Sequence, residues 1–510
     1  MPAPPPGAGL PVRPATPPRR ALGDLAAAVP GLRVPAAATG TVVSGCTLDS
    51  RSVRPGDLYA ALPGARAHGA DFAGQAAVAG AAAVLTDPAG AARAAATALP
   101  VVLADDPRAL LGAVAAHVHG HPARGMTVLG VTGTNGKTTT AFLLDAGLRA
   151  AGHVPGLIGT VLTRIGDQVV PSERTTPEAP DLQGLLAVMR ERCVTAVSME
   201  VSSHALALGR VDGLVLDVAV FTNLSQDHLD FHADMADYET AKAQLFTPAR
   251  ARRAVVNADD AAGRRLVAAG LVPTSTYGDS GDWQAREVEL RPDGSSFRLV
   301  GRGPDGPVDV PASVRLPGAF NVANAVAALA ALATAGVPVE AAVDGVAGLP
   351  GVPGRMERVD TGQGFLAVVD YAHTPDAVAT LLRAVRTVTA GRVIVVVGCG
   401  GDRDRGKRPS MGRAAVLGAD VAVLTSDNPR SEDPREILRE MAAPGAVLEP
   451  DRRAAIAYAV ALARPGDAVV VAGKGHETGQ EAGGVRTPFD DRVVLRELLG
   501  AAGSERPVPA

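Results

Sequence analysis

The sequence predicts an α/β protein with three domains, in which parallel β-sheets are covered by helices. The chain has 510 residues, and at about 150 residues per domain this length is enough for about three hydrophobic cores. Short apolar runs alternate with alanine-rich stretches of helical length, a pattern typical of parallel sheets with helices on their faces. Four continuous apolar runs near the C-terminal end predict buried strands: FLAVVD, RVIVVVG, VAVLTS and AVVVAG.

Four consecutive segments follow from these patterns. Residues 1–20 are rich in proline and are expected to form a disordered tail. Residues 21–122 predict a small N-terminal α/β domain. Residues 123–350 predict a central domain of repeated strand, loop and helix, and residues 351–500 predict a third, C-terminal α/β domain.

The composition argues against several classes of function. The formal net charge is −4 and aromatic residues make up 3%, whereas a dedicated nucleic-acid-binding protein needs a basic face and stacking rings. No apolar run approaches the ~20 residues that a membrane span needs, and no signal peptide is visible. The three cysteines are too far apart for a zinc site or a disulfide framework. We expect a cytoplasmic protein that acts as a monomer, without a nucleic-acid partner.

Lysine is rare in this chain. Of 49 basic residues only four are lysine, at positions 137, 242, 407 and 474. Since arginine supplies almost every other cation, each of these lysines marks a position where a fork-shaped guanidinium does not serve.

The strongest motif is the segment TVLGVTGTNGKTTTAFLL. An apolar strand runs into a glycine-rich loop, and a helix is predicted to begin near Lys137. The N–H groups of such a loop bind phosphate, Lys137 would reach the outer phosphates of a nucleotide, and Thr138 can bind Mg²⁺. Val131 stands where the first glycine of the full GxxxxGK[ST] pattern would fall. The segment predicts a nucleotide-binding loop.

Two polar residues of the central segment follow predicted strands. Glu200 ends the strand in VTAVSMEVSSH, and His228 follows the strand before FTNLSQDHLDFH. A carboxylate and an imidazole are both suited to a magnesium site. On the residues alone, Glu200 could equally be a solvated strand end and His228 a loop histidine. Lys242, in YETAKAQLF, is predicted to lie on a helix and by itself would be an exposed lysine.

The loop Gly133-Thr134-Asn135-Gly136-Lys137-Thr138-Thr139 resembles the ATP loop of the Mur ligases, which build the peptide stem of peptidoglycan. Further motifs continue the resemblance in order across nearly the whole chain. It implies the three-domain Mur ligase architecture, with a small UDP-binding N-terminal domain, a central P-loop ATPase domain and a Rossmann-like C-terminal domain that binds the amino acid. It also implies that the protein uses ATP and Mg²⁺.

The resemblance assigns catalytic roles to Lys137, Glu200, His228 and Lys242. It implies that Lys242 is carbamylated, which would turn a cation into a carboxylate-like magnesium ligand beside Thr138, Glu200 and His228. Arginine cannot be modified in this way, which fits the retention of a lysine. The implied ATP-binding residues are Gly133, Thr134, Asn135, Gly136, Lys137, Thr138, Thr139, Asn321, Asn324, Arg355 and Asp370.

For a UDP-muramoyl dipeptide substrate, the resemblance points to two regions. The residues concerned are Leu48, Ser50, Ala65, Arg66 and Ala67 in the N-terminal domain, and Thr175, Thr176, Ser202 and Arg210 in the central domain. By itself, the TTP sequence at 175–177 would be an ordinary turn. Leu208 stands where some relatives carry a polar residue, so one substrate contact is expected to be missing.

In the C-terminal domain, SDNPRSEDP and VAGKGHE resemble the motifs that recognise diaminopimelate in this family. The distal end of diaminopimelate carries a carboxylate, which the forked guanidinium of Arg430 would bind bidentately. Asp427 and Glu477 would pair with the distal ammonium, and Arg403 suits a substrate carboxylate. The implied diaminopimelate-binding residues are Arg403, Asp427, Asn428, Pro429, Arg430, Gly473 and Glu477.

The placement of these motifs is informative without the resemblance. The nucleotide loop, Glu200, Asp370 and the sequences GDRDRGK, DNPR and GKGHE all come directly after apolar runs. The C-terminal ends of parallel strands share one edge of a sheet, where open α/β folds bind their ligands. We therefore expect these motifs to lie on the ligand-binding edges of the sheets.

The resemblance implies ATP-dependent amide-bond formation, in which diaminopimelate is added to UDP-N-acetylmuramoyl-L-alanyl-D-glutamate through an acyl phosphate. A folylpolyglutamate synthase, a related ligase, is an alternative, although the UDP-type N-terminal domain and the DNPR motif count against it. A noncatalytic nucleotide-binding switch would need neither Lys242 nor the charged C-terminal loops. The sequence does not distinguish meso- from LL-diaminopimelate.

Overall fold

The N-terminal part of the chain folds around a four-stranded parallel sheet. The structure, a computed structural model, describes residues 13–64, 66–170, 172, 174–304 and 306–504. The first elements are β1 (Arg20–Ala21), α1 (Leu22–Ala28), β2 (Val42–Val43), β3 (Gly45–Thr47), β4 (Asp57–Ala60), α2 (Ala73–Val78), β5 (Ala83–Thr86), α3 (Pro88–Ala94), β6 (Val101–Leu103) and α4 (Pro107–Val118). The sheet order is β3-β4-β5-β6. Alternate residues of β4 and β5 enter two different apolar clusters, so both strands are buried on both faces.

The central part of the chain contains an eight-stranded sheet and a separate three-stranded sheet. Its strands are β7 (Thr127–Thr132), β8 (Pro155–Ile158), β9 (Thr163–Ile165), β10 (Gln168–Val170), β11 (Ala196–Glu200), β12 (Leu216–Phe221), β13 (Ala251–Asn257), β14 (Thr274–Tyr277), β15 (Gln284–Arg291), β16 (Gly294–Gly303) and β17 (Gly306–Val314). Its helices are α5 (Lys137–Ala150), α6 (Ala179–Glu191), α7 (Ser203–Ala207), α8 (Met235–Ala243), α9 (Ala261–Ala269), α10 (Ala319–Thr334) and α11 (Val339–Gly348).

The large sheet has the order β10-β9-β8-β11-β7-β12-β13-β14 and is parallel from β8 to β14. Strand β7 lies at its centre, which places the following glycine loop in the middle of the sheet edge. Helix α10 is apolar on nearly all sides because it packs between this sheet and the three-stranded one. The prediction of a helix beginning near Lys137 is confirmed by α5.

The three-stranded sheet β15-β16-β17 is antiparallel and was not expected from the sequence. Its strands alternate between buried and exposed residues, unlike the continuous apolar strands of the large sheet. The tripeptide Pro-Asp-Gly occurs at 292–294 and again at 304–306, at the two reversals of the chain. This repeated turn sequence was the available signal for a pair of hairpins.

The C-terminal part forms a six-stranded sheet in the order β18-β19-β23-β20-β21-β22. Its strands are β18 (Glu357–Arg358), β19 (Leu366–Asp370), β20 (Val393–Cys399), β21 (Val421–Ser426), β22 (Val447–Leu448), β23 (Ala468–Ala472), β24 (Gly479–Ala482) and β25 (Val485–Pro488), of which the last two form a separate hairpin. Its helices are α12 (Pro375–Thr387), α13 (Arg408–Gly418), α14 (Pro434–Met441), α15 (Arg452–Leu462) and α16 (Asp491–Ser504). The four predicted apolar strands are β19, β20, β21 and β23, all parallel to one another.

The predicted α/β fold with parallel sheets is therefore confirmed. The motifs also follow the C-terminal ends of parallel strands, because the glycine loop follows β7, Glu200 ends β11, and Asp370 ends β19. The sequences GDRDRGK, DNPR and GKGHE follow β20, β21 and β23. No helix in the described part of the chain is both long and apolar enough to cross a bilayer.

Residues 13–20 belong to the segment for which a disordered tail was predicted, yet they contact the body of the protein. The backbone N–H groups of Ala15 and Thr16 each donate to the carboxylate of Glu191 over 2.8 Å. Arg13 forms an ion pair with the buried Asp57. These residues therefore make specific contacts with Glu191 of the later helix and with the buried Asp57, which their composition alone did not indicate. Residues 1–12 lie outside the described residues.

The N-terminal and central parts meet where α4 packs against the loop after α7. An ideal Cβ at Gly112 would lie 2.2 Å from the carbonyl oxygen of Asp212, and one at Gly213 would lie 2.4 Å from the carbonyl oxygen of Gly112. Real Cβ atoms do not approach other atoms this closely, so the two backbones touch only because both positions are glycine.

Substitution of Gly112 by Ala should force these two backbones apart. We expect a loss of about 1–3 kcal/mol of stability, because neither neighbouring atom is a flexible side chain that can move aside. The measurement is the midpoint of thermal unfolding. The matched control is Gly74→Ala, a helical glycine of α2 with open space around its Cβ position. Gly74→Ala should not lower the midpoint, and an equal effect of both substitutions would contradict the close contact.

Candidate functional site

The loop between β7 and α5 depends on two glycines. Gly133 and Gly136 have φ angles of 145° and 89°, which L side chains rarely adopt. An ideal Cβ at Gly133 would lie 1.9 Å from Oγ1 of Thr222, and one at Gly136 would lie 2.4 Å from Oδ1 of Asn324. The path of the loop therefore excludes a side chain at either position.

Residues that follow β12 hold this loop in place. The backbone N–H of Thr134 donates to the carbonyl oxygen of Asn223 over 2.8 Å. The N–H of Asn135 donates to Oδ1 of Asn223 over 2.9 Å, and Oγ1 of Thr222 donates to the carbonyl oxygen of Asn135 over 2.6 Å. The backbone of the loop is thus held by hydrogen bonds within the protein. Thr138 and Thr139 follow in the buried first turn of α5.

Two lysine side chains converge on one carbonyl oxygen of the loop. Nζ of Lys137 donates to the carbonyl oxygens of Gly133 and Thr134 over 2.9 and 2.8 Å. Nζ of Lys242 donates to the same oxygen of Gly133 over 2.8 Å and lies 4.4 Å from the centroid of the Tyr238 ring. Burial lowers the pKa of Lys242 well below its usual value, and the charge of Lys137 lowers this pKa further. Lys242 is therefore not the exposed lysine that the helix alone suggested.

Glu200 connects the nucleotide loop to neighbouring hydroxyl groups. Its side chain is buried, and Oε2 accepts hydrogen bonds from Oγ1 of Thr138 and Oγ1 of Thr160, both over 3.0 Å. The N–H of Thr160 donates to Oε1 over 2.7 Å. Nη2 of Arg355, from the start of the C-terminal part, donates to Oγ1 of Thr138 over 3.1 Å. Hard oxygen donors of this kind are those that Mg²⁺ prefers.

His228 lies beside a carboxylate that the sequence analysis did not single out. Nε2 of His228 is 3.4 Å from Oδ2 of Asp227, and Nε2 of His373 is 3.9 Å from the same oxygen. Burial lowers the pKa of His228 to about 4, although Asp227 acts in the opposite direction. The imidazole is therefore neutral at pH 7 and has a free lone pair.

The remaining predicted ATP-binding residues differ in their surroundings. The side chain of Asn324 faces Gly136, and its Nδ2 donates to Oδ1 of Asn321 over 3.2 Å. Asp370 accepts hydrogen bonds from the backbone N–H groups of Met356 and Ala372 over 2.7 and 2.8 Å. Both carboxylate oxygens of Asp370 therefore hold the chain on either side of the site.

The residues predicted to hold the muramoyl peptide surround the end of β11. Oγ1 of Thr176 donates to the carbonyl oxygen of Glu200 over 2.9 Å and accepts from the N–H of Ser202 over 3.1 Å. Nε of Arg210 lies 2.8 Å from Oε1 of Glu178. Oγ1 of Thr175 lies 3.0 Å from Oγ1 of Thr160. This group is thus continuous with the hydroxyls around Glu200.

One cavity of about 940 Å³ joins most of these groups. Its wall comes from both the central and the C-terminal parts of the chain. Among the predicted residues, the structure places these in the wall: Thr134, Asn135, Gly136, Lys137, Thr138, Thr139, Thr175, Thr176, Glu200, Ser202, Arg210, His228, Lys242, Asn324, Arg355, Asp370 and Arg403. Gly133 reaches the site through the carbonyl oxygen that both lysines share, and Asn321 lies behind Asn324.

Of the predicted uridine-binding residues, the four that the structure describes lie in the N-terminal part and are not in the wall of this cavity. Ser50 is buried and its Oγ donates to Oε1 of Gln75 over 2.9 Å, whereas Arg66 and Ala67 are exposed and Leu48 is half-buried. Ala65 lies outside the described residues. Leu208 is half-buried, and its carbonyl oxygen accepts a hydrogen bond from Nη1 of Arg108 over 3.4 Å.

The DNPR and GKGHE loops form a second group of polar residues at the edge of the C-terminal sheet. Nζ of the fully buried Lys474 donates to Oδ1 of Asn428 and Oε2 of Glu477, each over 3.0 Å. Nδ2 of Asn428 donates to the same Oε2 over 2.8 Å. An ideal Cβ at Gly473 would lie 2.7 Å from Oδ2 of Asp427, so the two loops approach each other closely.

Arg430, which follows the buried Pro429, has a φ of 53° and ends the DNPR sequence. Its Nη1 donates to the carbonyl oxygen of Gly401 over 2.6 Å, and its Nε lies 3.8 Å from Oε2 of Glu481. Arg403 is exposed and lies in the wall of the large cavity. The structure thus places Arg403 with the nucleotide loop, and Arg430 with the second group.

Three residues of the site were missed by the sequence analysis. Thr160 follows β8 and bonds to Glu200, Asp227 lies between two histidines, and Asn223 anchors the loop. Asp227 and Asn223 both lie in the segment FTNLSQDH after β12, so the rule that ligand-binding residues follow parallel strands could have found them. Thr160 also follows a parallel strand, but β8 is only four residues long and contains proline and glycine, so its sequence is a weak signal for a strand.

The side chains present fit a magnesium ion only with one further oxygen donor. In the described part of the chain, no three His, Cys, Asp or Glu side chains converge to hold a metal ion. Thr138 and Glu200 supply adjacent oxygens, and His228 supplies a neutral imidazole. A carbamate on Lys242 would add an anionic oxygen ligand, and phosphate oxygens or water would complete the coordination.

In comparison with known proteins, three models of one family match most of the chain. Family models described as "Mur ligase family, catalytic domain", "Mur ligase middle domain" and "Mur ligase, glutamate ligase domain" match residues 42–119, 131–332 and 354–475. A UDP-N-acetylmuramoyl-L-alanyl-D-glutamate--2,6-diaminopimelate ligase of Streptomyces coelicolor is 58% identical, covering 97% of this chain and 98% of that protein. The protein of the same name from Streptomyces avermitilis is 57% identical, covering 90% and 92%.

A solved structure of a protein with that name is also similar. It is 34% identical, has a TM-score of 0.65, and covers 92% of this chain and 97% of its own. The likeness extends over the N-terminal, central and C-terminal parts together.

Substitution of Gly136 by Ala should weaken ATP binding by about tenfold or more, because the new Cβ would displace Asn324 and distort the phosphate-binding loop. ATP affinity measured by calorimetry tests this. Gly152→Ala is the matched control, since Gly152 follows the other end of α5, has a φ of 85° and has open space around its Cβ position. Gly152→Ala should introduce the same backbone strain without changing ATP affinity. Unchanged affinity in Gly136→Ala would contradict the role of the loop.

Proposed function

The chain belongs to the Mur ligase family, and from this premise we propose that it is the ATP-dependent ligase that adds diaminopimelate to UDP-N-acetylmuramoyl-L-alanyl-D-glutamate. The observation that carries the proposal is the large cavity, which joins the ATP loop and Glu200 of the central part to Arg403 of the C-terminal part. The relatives with 57% and 58% identity over nearly the whole chain carry this activity in their names. These ligases form an amide bond in the synthesis of peptidoglycan.

The chemistry requires activation of a carboxylate. A carboxylate resists attack by an amine because oxide is a poor leaving group. In the proposed reaction an oxygen of the D-glutamate side-chain carboxylate attacks the γ-phosphorus of ATP, and ADP leaves. The diaminopimelate amine then attacks the carbonyl carbon of the acyl phosphate, loses a proton, and displaces inorganic phosphate.

The residues of the loop suit the first step. The N–H groups at the start of α5 would bind the phosphates, and Lys137 would move from the carbonyls of Gly133 and Thr134 to the transferring phosphoryl group. Thr175, Thr176, Ser202 and Arg210 would hold the peptide so that its carboxylate faces the ATP loop. Leu48, Ser50, Ala65, Arg66 and Ala67 would bind the uridine end.

We propose that Thr138, Glu200, His228 and carbamylated Lys242 hold Mg²⁺. Bound there, Mg²⁺ would neutralise the negative charge of the phosphates and the attacking carboxylate. Arg355 and Thr160 would keep Thr138 and Glu200 in place through the hydrogen bonds described above. Asn321, Asn324 and Asp370 would shape the nucleotide side of the cavity.

Carbamylation of Lys242 is supported by its surroundings. Only a neutral amine has the lone pair that attacks CO₂, and burial beside Lys137 favours the neutral form. The nitrogen–carbon bond forms as the amine loses a proton, and the product is an anionic carbamate. This anion would offset the charge of Lys137 in a buried site, where two cations would otherwise repel each other.

Diaminopimelate would bind at the two loops of the C-terminal sheet. Arg430 would bind the distal carboxylate, and Asp427 and Glu477 would bind the distal ammonium. Gly473 leaves the space between these groups open. Because all of these residues belong to one chain, we propose that a monomer is sufficient. ATP and UDP-linked precursors are intracellular nucleotides, so a cytoplasmic location accompanies this proposal.

The proposal predicts phosphate release from ATP only when both other substrates are present. The assay combines ATP with UDP-N-acetylmuramoyl-L-alanyl-D-glutamate and, separately, meso-diaminopimelate, LL-diaminopimelate, L-lysine or no amino acid. We expect release with a diaminopimelate isomer and not with lysine, and the active isomer defines the stereochemistry. Phosphate release that requires a folate substrate would favour a folylpolyglutamate synthase. Nucleotide binding without any phosphate release would favour a noncatalytic nucleotide-binding switch.

Substitution of Lys242 by Ala should lower kcat by about a hundredfold or more, because the site loses an anionic oxygen ligand. Acetate, formate or high chloride should partly restore activity by entering the space left by the side chain. The matched control is Lys242→Arg, which keeps a cation but cannot be carbamylated, and which acetate should not restore. Full activity of Lys242→Ala, or restoration of neither variant, would contradict the carbamate.

A further inference from the structure

Arg452 forms a buried hydrogen-bond network beneath the two amino-acid loops. It is the first residue of α15, and its side chain and that of Asp491 are both inaccessible to solvent. Nε and Nη2 of Arg452 donate to the two carboxylate oxygens of Asp491, each over 2.7 Å. The same guanidinium also donates to two backbone carbonyl groups, those of Ser426 over 3.1 Å and Ala472 over 2.9 Å.

These two carbonyl groups belong to strands that are not neighbours. Ser426 is the last residue of β21 and Ala472 the last residue of β23, and β20 lies between them in the sheet. Arg452 therefore spans the end of β20 and joins the strands on either side. The residue after Ser426 begins the DNPR loop, and the residue after Ala472 begins the GKGHE loop. One side chain thus bonds to the two strand ends from which these loops begin.

Close contacts between the strand ends show that the distance between the DNPR and GKGHE loops is short. An ideal Cβ at Gly473 would lie 2.7 Å from the carboxylate of Asp427, and one at Gly398, near the end of β20, would lie 2.5 Å from the carbonyl oxygen of Thr425. Nε2 of Gln480 donates to the carbonyl oxygen of Asp427 over 2.7 Å. A small shift of one strand end relative to the other would therefore move Asp427 relative to Glu477.

The charge of Arg452 also acts on the loops. Burial lowers the pKa of Arg452, but the negative charge of Asp491 and the weaker effects of Asp427 and Glu477 outweigh burial and raise this pKa above its usual value. The guanidinium in turn attracts the two loop carboxylates toward the strand ends that it joins. These are the carboxylates that would bind the distal ammonium group of the substrate.

We propose that Arg452 is a positioning residue for amino-acid selection, which holds the DNPR and GKGHE loops at the spacing that the distal end of the amino-acid substrate requires. This inference rests on the proposed function, because it assumes that these loops bind diaminopimelate. Arg452 does not contact the substrate and acts through the two strand ends. A planar guanidinium serves this purpose because its five N–H donors lie in one rigid plane and can make all four of these hydrogen bonds, whereas an ammonium group has only three donors.

The test compares Arg452→Lys with the matched control Arg392→Lys. Arg392 bonds to Asp467 through Nε and Nη2 over 3.2 and 2.8 Å, and to the carbonyl oxygen of Leu462 over 2.7 Å. It joins the start of β20 to the start of β23, at the opposite edge of the same sheet. Both substitutions keep the positive charge and remove the forked guanidinium group. Only Arg452 lies beneath the DNPR and GKGHE loops.

For each enzyme, KM is measured for diaminopimelate, ATP and the UDP-muramoyl dipeptide, together with the thermal unfolding midpoint. Arg452→Lys should raise KM for diaminopimelate by about tenfold or more and change the other two values by less than about twofold. Arg392→Lys should leave all three values within about twofold. Equal increases for all substrates, or an unchanged value for diaminopimelate, would overturn the positioning role.

Two further observations separate the possible failures. If the wild-type enzyme does not turn over with diaminopimelate, the proposed function fails, whereas an active wild type with unaffected Arg452→Lys refutes only this inference. If Arg452→Lys does not fold, Asp491→Asn is measured instead. This variant keeps the guanidinium of Arg452 and weakens the hydrogen bonds that hold it in place. A selective increase in KM for diaminopimelate in Asp491→Asn supports the proposal. An unchanged value, or loss of the fold in both variants, shows that the network is structural and overturns it.

Discussion

The site depends on one constraint, which is that two lysine side chains share a single carbonyl oxygen. Lys242 is buried and Lys137 is half-buried, and Nζ of each donates to the carbonyl oxygen of Gly133. Two ammonium groups so close together repel each other, and the repulsion grows as less water surrounds them. A neutral amine or a nearby anion relieves this repulsion, and the charges of Glu200 and Asp227 act in this way on Lys137. Phosphate groups and a carbamate are both anions of this kind, so the binding of ATP and the proposed carbamylation of Lys242 would both relieve this repulsion.

The position of β7 in its sheet explains which residues surround this loop. Strand β7 is central in its sheet, so its loop is flanked by the residues that follow β11 and β12, which are Glu200, Asn223 and Asp227. Arg355 closes this arrangement from the C-terminal part through Thr138. Closure of the cavity between the two parts would exclude water from an acyl phosphate, which would otherwise hydrolyse.

Much of this arrangement could be predicted from sequence, because strong local patterns determine it. Apolar strands followed by glycine, charged residues or proline predicted the parallel sheets, and the rule that ligands bind after such strands predicted where the motifs lie. The rest required tertiary contacts. Residues 13–20 are ordered by Glu191 and Asp57, which are distant in sequence. The antiparallel sheet lacks continuous apolar strands, and neither the burial of Lys242 nor the bridge made by Arg452 has a local signal.

Transfer of labelled oxygen tests the central claim, carboxylate activation by phosphoryl transfer, most directly. The D-glutamate side-chain carboxylate of the UDP-muramoyl dipeptide is labelled with ¹⁸O, and the phosphate released during amide formation is analysed by mass spectrometry. Because the attacking carboxylate oxygen stays on phosphorus when the amine displaces it, each phosphate should carry one labelled oxygen. Phosphate without label, formed at the same rate as the amide product, would contradict the acyl phosphate and with it the proposed reaction.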